Sequence, residues 1–278
     1  MRRPQVDGGG EWVPSLALFT VLLPAAVGVY GWWILFQAPP QLRWAAPMAA
    51  VMGLIGATAH LGHLLPGPLA LTRLKSSWLA REVVTAGVFT ALAVTEAVFA
   101  GKIQAPGQAL LAYRLITLAF GLVGGYASIQ LYRVESHPAW RSGYHFVWGI
   151  AATLSLGSAL ALAFRPNLLV RTTLGVGMAL DLIAFFAYCL WLDNTENPAH
   201  DTLQGLLYHL PMTTLRVALP VAGFSLAQTV GPTSSVLRLF MPFVYLFIGH
   251  FIHRMLFYRT GYKRPVVNLP YYARQDSA

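Results

Sequence analysis

The sequence predicts an all-α integral membrane protein, a bundle of eight transmembrane helices, and three observations carry that class. Hydrophobic residues make up 56% of the 278 and charged residues only 10%, against about a quarter charged in an ordinary soluble domain. Apolar runs of about 18 residues or more, long enough to cross a bilayer as a helix, recur along the whole length. None alternates as an outer-membrane strand would, and each is too long to be one.

The first run, 13–37, follows the polar "RRPQVDGGGEW". With no apolar core before it, this segment reads as the start of an anchored first helix and not as a cleavable signal. The second, 45–65, ends in His60 and His63 and runs into Pro66-Gly67-Pro68, which cannot continue a helix. The third, 82–100, opens at Glu82 and carries Glu96 fourteen residues later, on nearly the same helix face. Glu96 lies close to the far interface and is expected to be solvated there.

The fourth and fifth runs are 109–132 and 145–164; the sixth, 168–192, carries Asp181 and the only cysteine, Cys189. The seventh, 211–230, holds Arg216, and the eighth, 235–258, holds His250 and His253. Pro24, Pro220 and Pro242 are placed to kink their helices. The longest connection, 193–210, carries three acids and no Lys or Arg and is expected to be a loop. The chain is thus one transmembrane domain, 1–278, with a short amino-terminal segment, 1–12, and a basic tail, 259–278.

Cations are spread unevenly. Arg2, Arg3, Arg73, Lys75, Arg81, Arg133, Arg141, Arg254, Arg259, Lys263, Arg264 and Arg274, twelve in all, fall on the amino-terminal side. Arg43, Lys102, Arg114, Arg165, Arg171 and Arg238, six, fall on the other. The two-to-one excess predicts both termini in the cytoplasm, in a bacterial inner membrane, with membrane lipid and no nucleic acid as the surroundings.

One cysteine cannot hold an iron–sulfur cluster, and no metal site is expected. Redox chemistry must then use a partner's centres or a group held by histidine. Asp181 and Arg216 would each be costly alone in a span, and an ion pair between neighbouring helices is the expected resolution, with proton movement the alternative for Asp181. His60 and His63 share a helix face, as do His250 and His253. These four are candidate ligands of a b-type haem. The alternatives are a quinone-binding and proton-passing role, or, for His63 and His253, simple exposure at the interface.

The bend 57–87 gathers His60, His63, Arg73, Lys75, Arg81 and Glu82. A quinone headgroup needs an apolar slot at the interface, hydrogen-bond donors, and a titratable group leading to water. His60 and Glu82 supply such a pair. Arg81 and Arg73 are placed to tune Glu82 or hold a partner.

At this bend the sequence resembles the membrane anchor subunits of the dimethyl sulfoxide reductase family, relatives of polysulfide-reductase-type anchors. The matching residues are "HLG" at 60–62, a Pro-containing turn, and "SSWLARE" at 76–82; "IGHFIHRMLFY" at 248–258 resembles the family's closing helix. The resemblance implies a non-catalytic anchor that binds quinone or quinol, ubiquinone or menaquinone. It would exchange electrons with a ferredoxin-like iron–sulfur subunit that serves a molybdopterin catalytic subunit. It implicates His60 and Glu82 at the quinol site, with Arg254 as a further member that fixes the last helix or meets the partner. "SSWLARE" resembles the anchors of the sulfite-oxidising branch more than those of the dimethyl sulfoxide reducers, which implies electrons running from sulfite towards quinone. His250 stands where the family pattern has a glutamate, and His253 where it has a small residue, which keeps the haem-carrying anchor open. An eight-span transporter is the alternative from another class; it would show inverted repeats, and none is evident.

Overall fold

The computed structural model describes residues 13–36, 42–61, 72–99, 106–134, 136–194, 196–197, 199–231 and 234–261. Eight helices are long and apolar enough to cross a membrane, and no strand occurs among the described residues. They are α1 (Pro14–Phe36), α2 (Leu42–Leu61), α3 (Trp78–Phe99), α4 (Gly107–Leu131), α5 (Tyr144–Leu162), α6 (Leu168–Asp193), α8 (Leu210–Thr229) and α9 (Val236–Thr260). A short α7 (His200–Tyr208) and one 3-10 turn (Pro138–Arg141) lie in the connections. The protein is therefore an all-α, multi-pass membrane protein.

Two boundaries correct the sequence reading. Helix α3 starts at Trp78, a turn before Glu82, because the Ser77 hydroxyl accepts the Ala80 N–H at 3.3 Å and caps the helix. The connection 193–210 is not all loop: α7 is amphipathic, with Thr202 and Leu206 buried and Leu207 and Tyr208 exposed. The amino-terminal segment 1–12, Pro66-Gly67-Pro68 and the tail beyond Gly261 lie outside the described residues.

The helices pack as two rings of four. In the first, α1 meets α2, α2 meets α3, α3 meets α4, and α4 returns to α1. In the second, α5 meets α6, α6 meets α8, α8 meets α9, and α9 returns to α5. The rings share a seam in which α1 lies on α5 and α9, and α4 touches α5. Without a hydrophobic force between helices in lipid, close approach depends on small residues. At the seam, a Cβ on Gly28 would overlap the Thr153 carbonyl, and one on Gly157 would lie 2.5 Å from the Gly28 backbone. Only glycine lets α1 and α5 touch backbone to backbone there.

Candidate functional site

The functional groups collect at the membrane side where α1 and α3 begin and where α2, α4 and α9 end. Glu82 sits one turn into α3 and is 4% exposed. Its carboxylate lies near Ser128 of α4 and Arg254 of α9, while its Oε1 has no partner. Burying half of a carboxylate unsatisfied is unfavourable by about 1–3 kcal/mol or more.

Arg254 is also buried, at 4% exposure. Its Nε donates to Thr20 Oγ1 of α1 at 3.0 Å. The guanidinium lies 4.7 Å from the ring centroids of both Trp148 and Phe257 and 5.3 Å from Tyr132. An aromatic cage of this kind holds a cation without neutralising it. Tyr258 Oη donates to Tyr132 Oη at 3.0 Å. Trp140, from the 3-10 turn, donates to the Phe257 carbonyl at 3.0 Å and pins the end of α9.

Between α1, α4 and α5 opens an apolar cleft of about 390 Å³. Pro24, Val27, Gly121 and Gly125 form its floor, and Thr20, Ser128, Trp148 and Arg254 its polar end. Leu122, Tyr126, Phe146 and Ile150 also line it and are each more than 40% exposed on the lateral apolar surface. The mouth therefore faces lipid. Gly125 brings no side chain to this space: a Cβ there would meet nothing within 4 Å.

The structure thus brings Arg254 to one end of a lipid-facing cleft, with Glu82 behind it, near Ser128 and Arg254. His60 lies one residue before the end of α2, which packs on α3. Its side chain and the whole of His63 lie outside the described residues. Arg81 does not reach Glu82. Arg81 donates to the carbonyls of Leu74 and Lys75, both at 2.8 Å, and stacks 4.2 Å over Trp78. It ties the 72–77 turn to α3, and one residue from Glu82 on a helix it points elsewhere. Arg73 is exposed.

A second polar cluster fills the core of the other ring. Arg216 Nη2 donates to Asp181 Oδ1 at 2.7 Å, the expected ion pair, with both side chains 1% exposed. Arg216 Nε donates to His253 Nδ1 at 3.2 Å. His250 Nε2 pairs with Ser155 at 3.0 Å, and its Nδ1 lies 3.9 Å from Asp181 Oδ1. His253 lies face to face with Trp148, ring centroids 4.9 Å apart.

His253 is not exposed at the interface: it and His250 are both buried, each with one ring nitrogen in a hydrogen bond. The spaces beside His253 measure only about 10 and 20 Å³, room for a water and not for a macrocycle. Glu96 is a further correction: it is 7% exposed and not solvated. Tyr30 donates to its Oε2 at 2.5 Å, and Trp33 and Arg114 donate to its Oε1 at 3.0 and 2.5 Å.

Thr20, Ser128, Trp148 and Tyr132 escaped the sequence reading. Each is an ordinary residue of an apolar run, and only the ring closure between α4, α1 and α5 gives it a role.

The sequence pattern of the DMSO reductase anchor subunit (DmsC) family matches residues 45–192. The chain is 27% identical over 170 residues to the anaerobic dimethyl sulfoxide reductase chain YnfH of Escherichia coli (strain K12). That match covers 56% of this chain, and the chain spans 58% of the relative's length. No solved structure matches it.

Proposed function

The chain belongs to the DMSO reductase anchor subunit family, and on that premise we propose that it anchors a molybdopterin oxidoreductase complex and exchanges electrons between membrane quinone and an iron–sulfur partner subunit. The observation that carries this reading is the lipid-facing cleft with Ser128 and Arg254 at its end and the Glu82 carboxylate behind them.

The residues fit a quinone ring. The walls are apolar, as a bilayer-borne ligand requires, and the few polar groups converge at one end, as in small-molecule sites generally. Quinol supplies two electrons and two protons on oxidation. Arg254, fixed by Thr20 and its aromatic cage, donates toward the cleft. Ser128 joins the cleft to Glu82. Glu82 Oε1, without a partner, is the atom that takes up a proton. His60, at the end of the neighbouring helix, is the second titratable group of the site.

The cation excess puts the termini, the bend and the polar end of the cleft on the cytoplasmic side of the bacterial inner membrane, where an iron–sulfur subunit would dock. "SSWLARE" makes sulfite the first substrate to offer the catalytic subunit.

The test is binding of a quinol-site inhibitor to the purified complex. Glu82→Gln and His60→Ala are each expected to weaken binding about tenfold, equivalent to about 1.4 kcal/mol, with the complex still assembled. Wild-type binding in both variants would remove the site assignment.

A further inference from the structure

A polar core in a bundle surrounded by lipid calls for a physical reason. Asp181 of α6 and Arg216 of α8 are each 1% exposed, and each is costly at membrane depth. Pairing them at 2.7 Å only offsets that cost, since a buried ion pair adds little over an apolar pair of the same volume. As a fastening it is also incomplete. Asp181 Oδ2 and Arg216 Nη1 have no hydrogen-bond partner among the described residues, whereas both oxygens of Glu96 are taken.

What the pair does complete is a line of contacts from the core of the second ring to the cleft. Arg216, held by Asp181, directs its Nε–H at His253 Nδ1, 3.2 Å away. The His253 ring lies against Trp148 of α5, with centroids 4.9 Å apart and planes 20° apart. His250, three residues before His253, meets the same indole edge to face at 5.7 Å and is itself held by Ser155 at 3.0 Å. Trp148 is 4% exposed, lines the polar end of the cleft, and lies 4.7 Å from the Arg254 guanidinium.

The geometry explains why the side chain against the indole is a histidine. A leucine would fill the volume and leave the plane of the indole unset. An imidazole whose ring nitrogen accepts a hydrogen bond has its own plane fixed, and a flat ring holds a flat ring by stacking.

We propose that His253 is a positioning residue of the cleft: aligned by the Asp181–Arg216 pair, it sets the plane of the Trp148 indole and so the shape of the slot that a flat headgroup enters. The inference rests on the quinone reading above and gives the polar core of the second ring a task at that site. No charge or proton moves along this line of contacts; it acts by packing alone.

The test uses the intact complex and measures its affinity for an alkylated hydroxyquinoline N-oxide, a quinol-site inhibitor. His253→Ala removes the ring, His253→Phe keeps a flat ring without the Arg216 bond, and Trp148→Ala removes the wall. His253→Ala is expected to weaken binding about tenfold, within the range of coupled neighbours. His253→Phe is expected to recover part of that loss. Combined with Trp148→Ala, His253→Ala should add nothing, because the wall it positions is gone. A residue that only stabilised the fold would add its loss to that of Trp148→Ala and would gain nothing from phenylalanine. Either of those results overturns the proposal, as does wild-type affinity in His253→Ala. Should His253→Ala fail to assemble, Asp181→Leu with Arg216→Met releases the His253 ring without leaving a lone buried charge. That double variant is expected to lose affinity several-fold, and wild-type affinity there overturns the proposal instead. Wild-type affinity in Trp148→Ala would strike the cleft reading itself, a failure told apart because His253 is untouched in that variant.

Discussion

Glu82 and Glu96 stand on the same face of one helix, both buried, and the protein treats them in opposite ways. Glu96 is saturated: a tyrosine hydroxyl, an indole N–H and a guanidinium all donate to it, from α1 and α4. Glu82 has a hydroxyl and a cation in its neighbourhood and an oxygen left bare. The first arrangement fastens α3 to its neighbours. The second keeps a carboxylate unsatisfied beside an empty, lipid-facing space. The difference separates a carboxylate that holds helices together from one held ready for a ligand, and neither could be told from the other by position alone.

The comparison can be broken most sharply at Glu96. Glu96→Ala leaves Arg114 in the membrane without its counter-ion and should cost about 3–5 kcal/mol of stability, the usual price of splitting a buried pair; thermal unfolding in detergent measures it. Glu82→Gln should cost under about 1 kcal/mol in the same assay. Its quinol-dependent turnover should fall about a hundredfold, as loss of an acid–base group does. Equal stability losses in the two variants would dissolve the distinction.

Smaller effects sharpen it. A Cβ on Gly125 would meet nothing within 4 Å, so Gly125→Leu fills the cleft without strain. Inhibitor affinity should drop about tenfold, or about 1.4 kcal/mol, while the melting temperature stays put. An unchanged affinity would place the ligand elsewhere. Smallest of all, Arg73→Ala should change inhibitor binding and stability by no more than about 0.5 kcal/mol, because the side chain is exposed. A larger loss of binding would return Arg73 to the site.

The spans were legible because the bilayer demands them: hydropathy and length gave all eight, and the cost of lone charges gave the Asp181–Arg216 pair. What the sequence could not convey was which helix closes on which. Glu96 reads as an interfacial acid until α1 and α4 are seen to bring Tyr30, Trp33 and Arg114 around it. His250 and His253 read by spacing as ligands or interfacial residues, and only the packing of α9 on α5 and α8 shows them buried against Ser155 and Arg216. Arg81, next in sequence to Glu82, spends its guanidinium on the preceding turn. Conversely Ser128 and Thr20, which complete the cleft, carry no signal of their own in an apolar run. His60 keeps its sequence-based role as a proposal, with only its place at the end of α2 fixed by the fold.

The glycine contact between α1 and α5 also bears on how the protein is made. Gly28 and Gly157 are 129 positions apart (157 − 28). At about 5–20 residues per second of synthesis, α1 waits on the order of ten seconds for the helix it must touch. During that interval the first four helices can close their own ring, leaving the bare backbone stripe of α1 turned toward lipid. The seam is therefore assembled late, between a finished half and an arriving one. A side chain at Gly28 would strike after insertion is complete, yielding a protein that reaches the membrane and fails at its last joining step.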